Sequence, residues 1–210
     1  VSNWVTVSSL ATAAGTLVLA VATFASVRSA HRAAQATERA LLAGIRPVLV
    51  PSRPHDPPER IGFGDDHRVE VDGGRAVAEA TDEAIYLAIA LRNVGNGLAL
   101  LDGWDLYADR NSGGPSRPEP DGFRRLTRDI YVPAGDLGFW QGTYRDRADP
   151  GFDAARDAIV ERRPVTIDLL YGDHEGGQRT ISRFVLAPDD DGGWMASASR
   201  HWNLDRADPR

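Results

Sequence analysis

From Val1 to Val27 the chain carries no charged side chain. An uncharged run of that length must be buried or must cross a bilayer, so it constrains the fold more than any other feature. The stretch from Trp4 to Val27 is 24 residues long, and about 20 apolar residues rising 1.5 Å each span a hydrocarbon core. It is rich in Ala, Ser and Thr and only moderately hydrophobic, with Trp4 where an interfacial aromatic is expected. A cleaved signal peptide would open with basic residues and have a shorter apolar region; a buried helix is the remaining reading. The expectation is a single-pass transmembrane helix over residues 1–27, in an inner or plasma membrane. The nearby basic side chains, Arg28, Arg32, Arg39 and Arg46, all follow it. Positive flanks stay in the cytoplasm, which puts the N-terminus outside and the C-terminal domain in the cytoplasm. Val1 reads as a GTG start codon translated literally, which would make the chain complete.

Residues 28–45 form a juxtamembrane stalk by the same reasoning. Arg28 to Leu42 has high helix propensity and no breaker, and Gly44 and Pro47 are stop signals. A continuous helix from Asn3 to Ala43 would be on the order of 60 Å long. Val27, Ala30, Ala34, Thr37 and Leu41 recur at coiled-coil spacing. Ala11 and Gly15 make a small-xxx-small pair flanked by Ser8, Thr12 and Thr16. These spacings suggest a parallel homodimer through the N-terminal helix, although Ala-rich helices also contain them by chance.

Composition narrows the chemistry. There are no cysteines, which excludes disulfides, zinc–thiolate sites and thiol nucleophiles. All 24 basic residues are Arg, and the 30 acids are mostly Asp, a bias we read as that of a GC-rich genome. Residues 1–46 carry a net +3 and residues 47–210, with 20 Arg against 29 acids, a net −9. An acidic domain argues against nucleic-acid binding, which needs positive surface to displace counterions.

From Arg46 the pattern changes to alternation. In Ile85–Leu91, Ile85, Leu87, Ile89 and Leu91 point one way and Tyr86, Ala88 and Ala90 the other. Further strands are expected at 46–50, 69–71, 76–79, 103–108, 130–132, 137–144, 165–171, 180–186 and 194–202, separated by Gly-, Pro- and Asp-rich turns. Residues 51–66 and 111–122 read as loops. Asp149-Pro150 caps a short helix over 150–162. The pattern predicts a mainly-β domain over residues 46–205, an antiparallel two-sheet sandwich with one inserted helix, followed by a tail at 206–210.

The turn Asn93-Val94-Gly95-Asn96-Gly97, followed by Leu98-Ala99, resembles bacterial immunoglobulin-like modules. With the anchor and the Arg46-Pro47 entry, the layout resembles uncharacterised actinobacterial single-pass membrane proteins with such a β-sandwich. The resemblance implies the fold and no activity, because that fold serves mainly for binding and spacing.

No catalytic, cofactor or metal signature is present. Asp173-His174-Glu175 groups three ionisable side chains, but between strands and before two glycines it reads as a hairpin loop. Asp189-Asp190-Asp191-Gly192-Gly193 lacks the distant bidentate Glu of a calcium loop. Alternation puts Trp194, Ala196, Ala198, Arg200 and Trp202 on one face and His201 on the other, where it reads as a surface or edge histidine. His55 and His67 flank a loop with Asp56, Asp65 and Asp66 but share no ligand spacing. Arg124, Arg125 and Arg128 are the domain's only basic cluster, a solvated face or a patch for anionic lipid or an acidic partner. The functional expectation is a membrane-anchored, non-catalytic protein-interaction or scaffold module with an unknown protein partner and no cofactor. The alternative is an anchored enzyme or ligand sensor using Asp173, His174 and Glu175.

Overall fold

The computed structural model describes residues 2–108, 117–149 and 151–206, with side chains from residue 14 on except those of residues 39 and 43. The chain divides into two compact units, 1–44 and 45–210. The first is one helix, α1 (Ser2–Gly44), ending at the expected glycine stop. Among the described residues no helix is long and apolar enough to cross a membrane. Trp4, Ser8, Ala11 and Thr12 lie in the stretch whose side chains are not described, so that finding bears on the run from Ala14 on. There Leu17, Val18, Leu19, Val21 and Phe24 are between 62% and 69% exposed. Successive residues are turned 100° apart, so this apolar surface wraps the helix and is no one-sided stripe.

The second unit contains β1 (Leu49–Pro51), β2 (Glu59–Gly62), β3 (Arg68–Val71), β4 (Arg75–Ala80), β5 (Ile85–Asn93), β6 (Ala99–Tyr107), β7 (Arg124–Val132), β8 (Leu137–Tyr144), α2 (Phe152–Val160), β9 (Val165–Gly172), β10 (Arg179–Pro188) and β11 (Trp194–Asn203). It is mainly β, as expected. One difference concerns the sheets. Nine strands form one continuous curled antiparallel sheet in the order β1-β5-β4-β11-β10-β9-β6-β7, with β8 on the other edge of β5. β2, inside the segment expected to be a loop at 51–66, pairs with β3, the strand expected at 69–71, in a separate two-stranded sheet.

Alternation explains where the core sits. Ile85, Leu87, Ile89 and Leu91 of β5 meet Val165, Ile167, Leu169 and Tyr171 of β9 and Phe184 and Leu186 of β10 inside the curl. The opposite face of β5, Tyr86, Ala88 and Ala90, is covered by Ile61, Phe63 and Val71 of the β2–β3 sheet. The small residues on that face let the second sheet approach. α2 buries Phe152, Ala155, Ala158 and Ile159 into the main core. Its N-cap is Gly151, Asp149 Oδ1 accepts the Gly151 N–H at 3.0 Å, and Pro150 lies outside the described residues.

The expected face assignment of the last strand is corrected by a bulge. Arg200 pairs with Arg183 but Ala198 pairs with Phe184, leaving Ser199 as an extra residue. One extra residue flips every later side chain to the other face. Trp194 therefore packs in the main core, while Trp202 joins Leu170 and Ile181 on the outer face. His201 shares the inner face with its ladder partner Ser182 and stays partly exposed at an edge, since this stretch of β11 pairs only with β10 among the described residues.

The Asn93 turn has a clear cause. Asn93 is fully buried and its Nδ2 donates to the carbonyls of Gly97 (2.6 Å) and Val132 (3.0 Å). Its Oδ1 accepts the N–H groups of Val48 (3.1 Å) and Gly95 (3.0 Å). A Cβ at Gly95 or Gly97 would overlap the carbonyl oxygen of Arg46 or Ile45. The two glycines serve a close backbone approach, and Asn93 pins three chain segments together.

Candidate interaction site at the two sheet edges

β7 and β8 are consecutive strands, yet they sit at opposite ends of the curled sheet, and no ladder joins them. β7 pairs only with β6 and β8 only with β5. The curl brings their free edges to face each other. At the connecting turn the two strands are held close: the Asp136 N–H donates to Pro133 O, and Asn93 Nδ2 reaches the end of β7 by donating to Val132 O. Away from the turn the gap opens into a slit of about 150 Å3, lined on the β7 side by Arg124, Arg125 and Arg128 and on the β8 side by Gln141, Thr143 and Arg145, with Trp104 also in its lining.

β7 is irregular here. Leu101 pairs with Ile130 and Gly103 with Arg125, so residues 126–129 of β7 face a single residue of β6. This bulge leaves those four residues without a ladder partner on either side among the described residues.

Below the slit lies an aromatic cluster. The Trp104 ring meets Trp140 at 5.3 Å and Tyr144 at 5.2 Å, both edge-on. Gly142 makes room for it, since a Cβ there would come within 2.6 Å of Trp140 Cζ2. The Arg124 guanidinium sits 4.3 Å from the Tyr144 centroid and is ion-paired with Asp149. Burial pushes the Tyr144 hydroxyl up to about 12. Burial also raises the Asp149 carboxyl, but the Arg124 bond and the Gly151 N–H outweigh it and the net shift is downward. Arg124 is thus a half-buried seal over the aromatic cluster. Arg128 lies over Phe139 and donates to Gln141 across the slit. Arg125 is exposed and makes no ion pair among the described residues. Arg145 pairs with Asp65 at 3.2 Å.

The other expected site residues do not converge on a cavity. His174 and Glu175 are exposed and 4.0 Å apart. Asp173 is buried and structural, its Oδ1 accepting the Gly177 N–H at 2.9 Å in the β9–β10 turn. His55 is exposed. His67 stacks on Tyr86 at 4.0 Å with its Nε2 2.9 Å from Glu79, while Tyr86 donates to Asp65 at 2.6 Å. His201 Nδ1 is 2.6 Å from Ser182 Oγ, which bonds the Tyr171 hydroxyl at 2.8 Å. Tyr171 in turn accepts the Leu49 N–H at 3.1 Å. Ser182 and Tyr171 are fully buried, so this relay ties β1 to β10 and β11 and offers no reachable nucleophile. Asp189 caps its own turn by accepting the N–H groups of Asp191 and Gly193. Among the described residues no three His, Asp or Glu side chains are placed to hold a metal ion.

Beside the slit a depression of about 230 Å3 is lined by Asp102, Asp121, Phe123, Arg125, Leu170 and Arg179, with Arg179 paired to Asp102. Two wider ones also occur. One, of about 530 Å3, lies along the β2–β3 sheet (Arg60–Gly62 and Arg68–Glu70). The other, of about 720 Å3, lies among Asp82, Glu83, Arg145 and Arg147. Both are open surface.

Sequence reasoning found the arginines of the slit but missed Arg145, Gln141 and the bare edges themselves. The alternation of Trp140, Gly142 and Tyr144 was legible. That β8 lacks a second neighbour depends on topology, which no local pattern reports. The chain matches no protein-family model, and no curated protein matches its sequence.

Proposed function

We propose that this chain is a tethered protein-interaction module without catalysis, with the slit between β7 and β8 as its contact surface. The observation that carries the proposal is the pair of facing strand edges that lack a ladder and are rimmed by arginines. Exposed strand edges are ready templates for a partner's backbone. The alternative, an enzyme or sensor at Asp173, His174 and Glu175, needs a concave site where ionisable groups meet. His174 and Glu175 stand in solvent, and Asp173 is committed to its turn.

The tether is α1. Its support is the uncharged run to Val27 and the exposed apolar surface wrapping the described part, which demands a cover. We assign that cover to a bilayer, with the β unit in the cytoplasm and a protein partner held by raised local concentration; parallel pairing of two copies through α1 is part of the same proposal. The immunoglobulin-like reading, and with it the kinship to anchored actinobacterial proteins, rests on the antiparallel strands and the Asn93 turn, while the single curled sheet departs from its two-sheet form.

The test is photo-crosslinking in the cells that make the full chain, with the crosslinker at Arg125 or, as a control, at exposed Met195 on β11. A defined partner captured from position 125, and lost in Thr127→Pro, supports the module. Equal capture at both positions, or none, overturns it. Reporter fusions after Arg210 decide the tether: an external β unit overturns the assigned orientation.

A further inference from the structure

We propose that the slit between β7 and β8 accepts an extended acidic segment of the partner protein, added as a strand; this rests on the interaction-module reading above. Among the described residues, 126–129 have no ladder partner on either side, and the outer edge of β8 has none. An extended peptide supplies amides and carbonyls at the repeat those edges need. A folded surface or a small molecule does not.

Charge decides what kind of strand. Arg125, Arg128 and Arg145 rim the slit and Arg124 lies below them. Two of the four are partly neutralised, Arg124 by Asp149 and Arg145 by Asp65. Asp129 on β7 interacts with the Tyr131 hydroxyl at 3.4 Å. The patch is therefore positive, and locally so, in a region that carries a net −9 over residues 47–210. That background repels nucleic acid. The charges also explain selectivity, because they blunt the edge against apolar strands, including a second copy, while favouring a strand with carboxylates.

Size points the same way. The slit holds about 150 Å3, below the roughly 300–1,000 Å3 of a small-molecule site. It takes one side chain at a time, over Trp104 and Gly142, with alternate acidic residues turned to the arginine rim. A membrane headgroup would meet the same arginines, but it forms no ladder.

The experiment uses the full chain in detergent. The probe is an acetylated, amidated heptapeptide of alternating Glu and Val, titrated by calorimetry. Controls are its Lys–Val counterpart, the Glu–Val peptide N-methylated at alternate amides, inorganic phosphate, and phosphatidylglycerol vesicles. The expected result is saturable binding of the Glu–Val peptide only. In Arg125→Glu it weakens roughly threefold, as an attraction becomes a repulsion near the surface, with an unchanged thermal midpoint. Equal binding of the N-methylated peptide would show that no strand is added. Full displacement by phosphate would make the slit a simple anion pocket, and vesicle binding that needs the same arginines would make it a lipid contact. If the peptide fails while crosslinking from position 125 still captures one partner, the acidic strand is wrong and the interaction module stands. If both fail, both readings fall.

Discussion

Arg183→Met removes one half of a buried ion pair and leaves the other half in place. Asp168 is fully buried on the outer face of β9, and Arg183 reaches it with two hydrogen bonds, Nε to Oδ1 at 2.8 Å and Nη2 to Oδ2 at 2.7 Å. The guanidinium also lies 4.9 Å from the Trp202 ring. Methionine keeps much of the aliphatic stem, so the loss is mainly electrostatic. Burial raises the Asp168 carboxyl above its ordinary value even with Arg183 opposing, and Asp105 pushes it the same way. Without Arg183 it moves further up. The folded variant then either keeps an unpaired buried charge or protonates Asp168. From an ordinary value of 3.8, protonation at pH 7 spans about three pH units at ~1.4 kcal/mol each, a ceiling of roughly 4 kcal/mol. This agrees with the ~3–5 kcal/mol for breaking a buried pair. For a unit of this size it lowers the melting temperature by roughly 10 °C.

The sign with pH follows from proton binding. Between the ordinary value and the raised one, the folded variant holds more protons than the unfolded chain, so its stability falls as pH rises. The penalty is largest at neutral pH and shrinks toward pH 4. Urea denaturation of wild type and variant from pH 4 to pH 7.5 measures it. A penalty under about 1 kcal/mol, or one independent of pH, would refute the claim that Asp168 depends on Arg183 in a dry site. Asp168→Leu/Arg183→Met should recover most of the loss, because an apolar pair strands no charge.

Asn93→Ala should destabilise the β unit by about 3 kcal/mol in urea denaturation, since it orphans the backbone groups of Val48, Gly95, Gly97 and Val132. Gly97→Ala should be as damaging, because a Cβ cannot coexist with the Ile45 carbonyl; wild-type stability would contradict the assigned backbone approach. Gly142→Ala should cost about 1–3 kcal/mol by overpacking the Trp104–Trp140 contact and should shift the tryptophan fluorescence. Tyr171→Phe should cost about 1–3 kcal/mol, because it unties the Leu49 N–H and Ser182 together; a neutral result would place water in that relay.

Local pattern revealed much of this structure. Alternation located β5, β8, β9 and β10 within a residue or two, and Gly44 marked the end of α1. Asn-x-Gly-x-Gly marked a turn whose glycines are explained by backbone contact with residues 45–48. Pairing was not legible. One curled sheet and two stacked sheets bury the same alternating faces, so periodicity does not separate them. β2 was hidden because Glu59-Arg60-Ile61-Gly62 offers one apolar residue to the core. The N-terminal part of β7 was hidden because Arg124 to Asp129 is polar and bulged, which is why it read as a charge cluster. Ser199 reversed the faces of Trp202 and His201, and no residue type announces a one-residue bulge. The slit exists only because two strands adjacent in sequence do not pair, a property of topology alone.

Amide hydrogen exchange on the full chain, read by mass spectrometry at β7 and β8, shows whether the two strand edges are open. Residues 126–129 should exchange orders of magnitude faster than β5 and β9 in the free protein, and the Glu–Val peptide should protect β7 and β8 specifically. Slow exchange of residues 126–129 in the free protein would mean that β7 and β8 pair with each other in solution, and there would be no edge for a partner to occupy.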